Sequence, residues 1–418
     1  STLSPSSAAS DVYKRQSNSN KSRKGYKMKK VCIAIIGAGF AGNFHTNSYS
    51  KVSGVELKIK YVYDNDRAKA QELCDKWPII EQVADTYEEI LADPEVEAID
   101  IITPPVTHVP LAYQAVAANK HVICEKPLTG YFGEEGDEQP IGLKVPKEKM
   151  YQRVLSEIEE FKTKFEASDR LFMYAENYVY SPNILHSAKI LEEKKSRIMY
   201  MKGEESIRSS TSPASAYWKL AGGGSLIRLG SHPIGGMLFL KQVEAKAHEE
   251  EIKIQSVTAE TGRLAPNLNP HDKRYFPANS VDTEDFASVV ITFSDGTKAI
   301  SISNDNTLGG VKNYVEVYTN DSALINNITP ADNLSTYFLD EDGLEDVYIS
   351  EMLTEKTGWN KVFVAEEVLR GYLNQFQDFV EAIAYNRQPL SDLDLAYDTI
   401  KVIYAAYQSA EEGRRIDF

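Results

Sequence analysis

Val31-Cys32-Ile33-Ala34-Ile35-Ile36 runs directly into Gly37-Ala38-Gly39-Phe40-Ala41-Gly42. The apolar, β-branched run reads as a buried strand. The glycines permit a tight turn, a close approach of backbone to a ligand, and close packing of the next helix. That helix directs unpaired N–H groups and the positive end of its dipole at whatever lies over the turn, which suits a pyrophosphate. Gly37, Gly39, Phe40, Ala41 and Gly42 are therefore expected to hold a dinucleotide. A second apolar run, Leu57 to Tyr63, ends at Asp64. A carboxylate there can accept both hydroxyls of an adenosine ribose and repels a 2′-phosphate, so the expected cofactor is NAD rather than NADP. A glycine turn without a ligand would share the glycines, but would not need the strand, the spacing and Asp64 together.

Working outward, strands alternate with helices from Val31 to about Pro127, which implies a doubly wound parallel sheet. Helices are expected over 40–52, 66–76 with Asp66 as cap, 86–92 and 108–119, with strands over 98–103 and 121–124. The loops from Thr103 to His108 and from Glu125 to Pro127 then meet the glycine turn at the carboxyl edge of the sheet, where ligands of such folds sit. Residues 131–149 are polar and interrupt the approach to a helix over 148–167; a lid or a subunit-contact loop is the expectation, with an idle insertion as the alternative.

The second half changes character. Strand-like runs fall at 171–179, 197–207, 251–259, 285–293, 297–303 and 312–319, with a hairpin signal at Asp295-Gly296. Helices over 373–386 and 392–412 close the chain. The fold class is thus an α/β Rossmann domain, residues 28–168, followed by an α+β domain, 169–418, with a largely antiparallel open sheet. The last helices are expected to pack back toward the first domain.

A chain of 418 residues is long for one core, in keeping with two domains. A net charge of −15 argues against a nucleic-acid partner. The three cysteines, Cys32, Cys74 and Cys124, lack metal-ligand spacing and read as small hydrophobes in a reducing compartment, so no metal is expected and the location is read as cytoplasmic. No apolar run approaches the length of a membrane span. Residues 1–27 are Ser-rich and then basic, without a signal-peptide core, and read as a disordered leader or a translated artefact, with Met28 as a natural start.

Lys126 follows a strand at the cofactor edge, and Pro127 restricts it to extended conformations. A lysine there can orient a substrate hydroxyl and help relay its proton; alone, it would be a surface lysine. Gly222-Gly223-Gly224-Ser225 leads into Leu226-Ile227-Arg228-Leu229-Gly230-Ser231-His232, with Gly224 or Ser225 a possible helix cap. Arg228 and His232, four residues apart, would share a helical face. His232 is a candidate general base, because imidazole titrates near neutrality, although a lone histidine is usually structural.

Together these segments resemble the Gfo/Idh/MocA family of NAD(P)-dependent oxidoreductases. The resemblance runs from Met28 to the C-terminus. It rests on the glycine turn, Thr103-Pro104 with His108, Glu125-Lys126-Pro127, the Gly-Gly-Gly-x-Leu-x-x-x-Gly-x-His segment, and the closing Gln408-Ser409-Ala410-Glu411-Glu412-Gly413-Arg414. It implies that Lys126 and His232 are catalytic, and that Thr103, Pro104, His108 and Glu125 border the cofactor. It also marks two departures. Arg228 stands where relatives commonly carry Asp, and Gly235 where they usually carry an acidic residue, so the family's polyol contacts do not transfer.

Tyr174-Ala175-Glu176-Asn177-Tyr178-Val179-Tyr180, read as a strand, would turn Glu176, Tyr178 and Tyr180 to one face and Asn177 to the other. Asn177, Tyr178, Tyr180, Trp218 and Arg228 are candidate substrate contacts, though core packing explains the tyrosines equally well. The resemblance implies a hydride-transfer enzyme acting on a secondary hydroxyl of a sugar, glycoside or cyclitol, closest to relatives that oxidise the 3-hydroxyl of glucosides, C-glycosides included. Two other readings stay open. One is transient oxidation followed by elimination of an aglycone; the other is a non-catalytic NAD-binding sensor. Family resemblance and an open sheet face further suggest a homo-oligomer.

Overall fold

In the computed structural model, residues 28–210, 212–276, 280–345, 347–349 and 356–418 are described. The leader 1–27 lies outside them. The first domain holds β1 (Lys29–Ile36), α1 (Phe40–Tyr49), β2 (Val55–Tyr63), α2 (Arg67–Lys76), β3 (Ile80–Val83), α3 (Tyr87–Ala92), β4 (Ala98–Ile101), α4 (His108–Ala117) and β5 (His121–Glu125). Then come α5 (Ile141–Lys144), α6 (Lys147–Glu166) and β6 (Phe172–Ala175). All six strands pair in parallel in the order β3-β2-β1-β4-β5-β6. The order reverses beside β1, which puts the glycine turn at the switch point where such sheets bind ligands. The Asp66 and Thr86 side chains cap α2 and α3, accepting from Ala68 N at 3.1 Å and Glu89 N at 3.1 Å.

One strand was not anticipated and one expectation is corrected. The short edge strand β3 has only four residues and no periodic signal. The run 171–179 does not open the second sheet: β6 completes the parallel one, and the strand stops at Ala175. Beyond it Asn177–Tyr180 form a single 3₁₀ turn, because Glu176 accepts from Tyr178 N through its side chain. Local side-chain bonding of this kind competes with a strand ladder.

The second domain follows with α7 (Pro182–Lys194), β7 (Ile198–Ser206), α8 (Trp218–Ala221), α9 (Ser231–His248), β8 (Ile254–Gly262), β9 (Phe286–Phe293), β10 (Lys298–Asn304), β11 (Lys312–Thr319) and β12 (Ala323–Asn327). A small hairpin, β13 (Leu334–Phe338) with β14 (Gly358–Val362), precedes α10 (Glu366–Leu369), α11 (Tyr372–Tyr385), α12 (Leu393–Glu412) and β15 (Ile416–Asp417). The sheet order is β12-β11-β7-β10-β9-β8-β15, antiparallel except for β7 with β10. The Asp295-Gly296 turn joins β9 to β10 as expected. Alternate residues of β9, β10 and β11 are buried, and α9 and α12 cover that face. Helix α11 packs back on α1, where Phe376 lies 4.5 Å from the rings of both His45 and Tyr49.

The polar insertion is tied to the second domain by Asp282, which accepts from Gly142 N at 3.0 Å and Trp218 N at 2.7 Å. Two of its own residues, Tyr131 and Ile141, are buried. It is therefore a strap within the chain rather than a free loop. No described helix is long and apolar enough to cross a membrane.

Candidate active site

The glycine turn is held where its sequence requires. Gly37 has φ +108°, and a Cβ there would stand 2.8 Å from the Ile102 carbonyl carbon, so only glycine fits between β1 and the end of β4. Gly37 N donates to Tyr63 O at 2.8 Å, drawing β2 and Asp64 against the turn. Asp64 Oδ2 accepts from Ala38 N at 2.9 Å and Oδ1 from Asp66 N at 2.8 Å. Helix α1 then starts at Phe40 with no side-chain cap and no acidic residue in its first turn, and a Cβ at Gly39 would meet nothing within 4 Å. Free amides, an open approach and a carboxylate at the tip of β2 together fit a dinucleotide.

A cleft of about 750 Å³ opens beside this edge. It is lined by Phe40, Ala41, Glu125 and Lys126 from the first domain and by Asn177, Arg228 and His232 from beyond it. Phe40 is 72% exposed at its mouth.

Lys126 and His232 are brought together by the segment that follows the glycines. A π-helical turn, Leu226–Gly230, leads into α9. Its start is capped neither by Gly224 nor by Ser225 but by Glu284, which accepts from Gly224 N at 2.8 Å and Leu226 N at 2.9 Å. Burial pushes that carboxyl up to about 7. Lys126 Nζ donates to the Arg228 carbonyl at 2.8 Å, which fixes the amine beside the helix that carries His232. Such a turn, where the α-helical ladder is broken, is frequent at functional sites.

His232 is oriented by Glu176. Nδ1 lies 2.7 Å from Oε1, and both side chains are buried. With Nδ1–H donating to the carboxylate, Nε2 is left as the acceptor. A Cβ on Gly235 would stand 2.7 Å from Glu176 Cγ. Glycine at 235 thus makes room for a carboxylate that another element brings to His232. Tyr178 is buried behind His232, stacked with ring centroids 5.0 Å apart, and burial followed by the charge of Glu205 pushes its phenol well above the ordinary range.

The other expected residues are already engaged by partners or buried. Arg228 lines the cleft, but its guanidinium is bound to buried Asp305, so it is no free cation. Asn177 lines the cleft while its amide donates to Arg370 O at 2.7 Å. His108 is buried and clamps two loops, with Nδ1 2.8 Å from Pro127 O and Nε2 2.7 Å from Thr103 O; it shapes the cofactor edge from behind. Thr103 lies next to the glycine turn and accepts from Thr107 Oγ1 at 2.7 Å, while the Pro104 carbonyl accepts from Thr107 N at 2.9 Å. Three substrate candidates are corrected: Tyr178 is fully buried behind His232 and does not line the cleft. Tyr180 is in the core, donating to Asp378 at 2.8 Å. Trp218, 2% exposed, packs on Tyr407 at 4.7 Å.

One buried histidine escaped the sequence reading. His45 on α1 lies between Asp100, 2.9 Å from Nδ1, and Glu125, 2.9 Å from Nε2. Burial opposes its charge, but Asp100 and then Glu125 outweigh that and raise its pKa to about 9. Burial likewise opposes ionisation of Glu125, and His45 and Lys126 hold that carboxyl below its ordinary range. Glu125 Oε2 also accepts from Lys126 N at 2.8 Å. The helix under the cofactor edge is thereby linked to the backbone of Lys126. The signal in the sequence was the buried stripe Gly42, His45, Tyr49.

Fold and site define an oxidoreductase with a Rossmann domain for a dinucleotide. Residues 31–135 match the "Oxidoreductase family, NAD-binding Rossmann fold" and residues 188–418 the "Oxidoreductase family, C-terminal alpha/beta domain". The chain belongs to this Gfo/Idh/MocA oxidoreductase family, and its Rossmann domain is NAD-binding. It is 25% identical over 340 residues to levoglucosan dehydrogenase of Pseudarthrobacter phenanthrenivorans, covering 77% of this chain and 80% of that one. It is 33% identical over 109 residues to the uncharacterized oxidoreductase YrbE of Bacillus subtilis, an alignment that spans only 31% of that protein. Among solved structures, GenD2 from gentamicin A biosynthesis in complex with NAD superposes with a TM-score of 0.71 at 21% identity, covering 96% of this chain and 99% of that one. At that identity the likeness shows the fold.

Proposed function

We propose that this protein oxidises a secondary ring hydroxyl of a sugar or glycoside to the ketone, with the 3-hydroxyl of a glucoside, C-glycosides included, as the specific target. One observation carries the reading: Lys126 and His232 line one cleft beside the cofactor edge, with His232 held by Glu176 so that Nε2 is a proton acceptor. The similarity to levoglucosan dehydrogenase supports a carbohydrate substrate.

The glycine turn and the start of α1 would hold the pyrophosphate of NAD, and Asp64 its adenosine ribose. Bound NAD supplies the acceptor for a hydride. His232 Nε2 takes the hydroxyl proton as the carbinol C–H bond breaks and the C=O bond forms. Glu176 stabilises the imidazolium that results. Lys126 spends one of its three donors on the Arg228 carbonyl, and the others orient the substrate oxygen. We also propose self-association through the open face of the second sheet, where Tyr200 and Tyr318 stack at 4.6 Å.

The test is incubation of the purified protein and NAD with a panel of glucosides, C-glucosides and inositols, read by mass spectrometry. Loss of two hydrogens from an intact glycoside supports the reading. Release of aglycone without accumulation of NADH supports elimination instead. Binding of NAD without any product would overturn it in favour of a sensor.

A further inference from the structure

Across the ring from Glu176, His232 meets a second carboxylate that the proposed reaction does not use. Glu205, near the end of β7, is 2% exposed and lines the cleft. Its Oε1 accepts from Arg370 Nη2 at 2.7 Å, and Arg370 Nη1 donates in turn to Glu366 at 2.9 Å. The fork of Arg370 therefore fixes how the Glu205 carboxylate is turned. Its Oε2 lies beside the buried Tyr178 hydroxyl but has no partner at full hydrogen-bond geometry among the described residues, and it stands 3.9 Å from His232 Nε2. A buried carboxylate oxygen without a full donor is costly, and because Glu205 borders the cleft, a ligand hydroxyl that reaches this oxygen supplies the missing donor.

The two acceptors are spaced for two neighbouring hydroxyls. One hydroxyl can give its proton to Nε2 while a hydroxyl on the adjacent ring carbon donates to Oε2. A single hydroxyl has one hydrogen and cannot serve both. We propose that Glu205 binds the hydroxyl next to the reacting one, so that the cleft selects a vicinal diol over an isolated secondary alcohol. This rests on His232 being the base of the proposed reaction. The neighbouring hydroxyl keeps its proton; only the reacting carbon loses hydride to the cofactor and proton to His232.

The test uses methyl β-D-glucoside and its 2-deoxy and 4-deoxy analogues with wild type, Glu205→Gln and Glu205→Ala. Two readouts are taken: kcat/KM with NAD, and binding to the NADH complex by calorimetry. In wild type, one of the two deoxygenations should cost about 10- to 100-fold, the range for a hydrogen bond to a charged group. In Glu205→Ala the same deoxygenation should cost no more than about 3-fold, with Glu205→Gln in between. An equal penalty in wild type and variants, or no penalty in wild type at either neighbour, overturns the role of Glu205. If wild type binds the glucoside beside NADH yet never oxidises it, the dehydrogenase reading fails while the binding penalties still decide for or against Glu205. Failure of all three ligands to bind overturns the Glu205 proposal.

Discussion

Replacing Glu176 by glutamine probes the device that prepares His232. The 2.7 Å contact joins two buried groups, and an amide of the same size can still accept from Nδ1–H. It cannot offer the negative charge that steadies the imidazolium after Nε2 takes a proton. A hydrogen bond to a charged group contributes about 1.5–3 kcal/mol against about 0.5–1.5 kcal/mol for a neutral one, so the loss is about 1–1.5 kcal/mol, or about 5- to 12-fold in kcat. Glu176→Ala should cost more, about 10²–10⁴-fold, because the ring is then unrestrained as well. The assay is steady-state NADH production on the best substrate of the panel, with melting temperatures taken in parallel. A Glu176→Gln enzyme with unchanged kcat and unchanged melting temperature would refute the claim that Glu176 prepares the base.

Three further outcomes follow from the same geometry. The pKa of His45 is raised from 6.5 to about 9, so folding retains its proton; this stabilisation, about 3 kcal/mol in full, is complete below pH 6.5 and is lost as pH rises through about 9. Urea midpoints of wild type should therefore fall over that window, and those of His45→Gln should fall less; parallel curves would contradict the paired charge. Arg228→Met should destabilise by about 3–5 kcal/mol because it leaves Asp305 buried and unpaired, whereas Arg228→Met with Asp305→Leu should recover most of that loss; a double variant as unstable as the single would show that the ion pair is not the issue. Asp64→Ser should weaken discrimination against NADP, and an unchanged NAD-to-NADP preference in binding titrations would remove Asp64 from the ribose.

What the sequence made legible was local. The β1 run with its glycines, the caps Asp66 and Thr86, and the Asp295-Gly296 hairpin each declare themselves within a few neighbouring residues. Glu176 did not, because a strand period was carried past Ala175, where a side-chain bond to the backbone had already turned the chain. Arg228 read as a bare cation because its partner Asp305 lies 77 residues away in sequence, just past the end of β10. Glu284, which starts the helix of His232, and Arg370, which turns Glu205, are equally remote and carry no motif. Tyr180 and Trp218 were drawn toward the site by their chemistry, whereas packing places both in the core. Gly235 is the reverse case: an apparent loss in the motif proves to be the space that Glu176 fills.

The central claim is hydride transfer from a sugar carbon to NAD with His232 taking the proton. It is tested most directly with methyl β-D-glucoside carrying deuterium at carbon 3. The account predicts that the label appears in the reduced cofactor, that the product is the 3-keto glucoside, and that His232→Ala slows this transfer by about 10²–10⁴-fold. Deuterium released to water with no labelled cofactor, or transfer at the wild-type rate in His232→Ala, would contradict it.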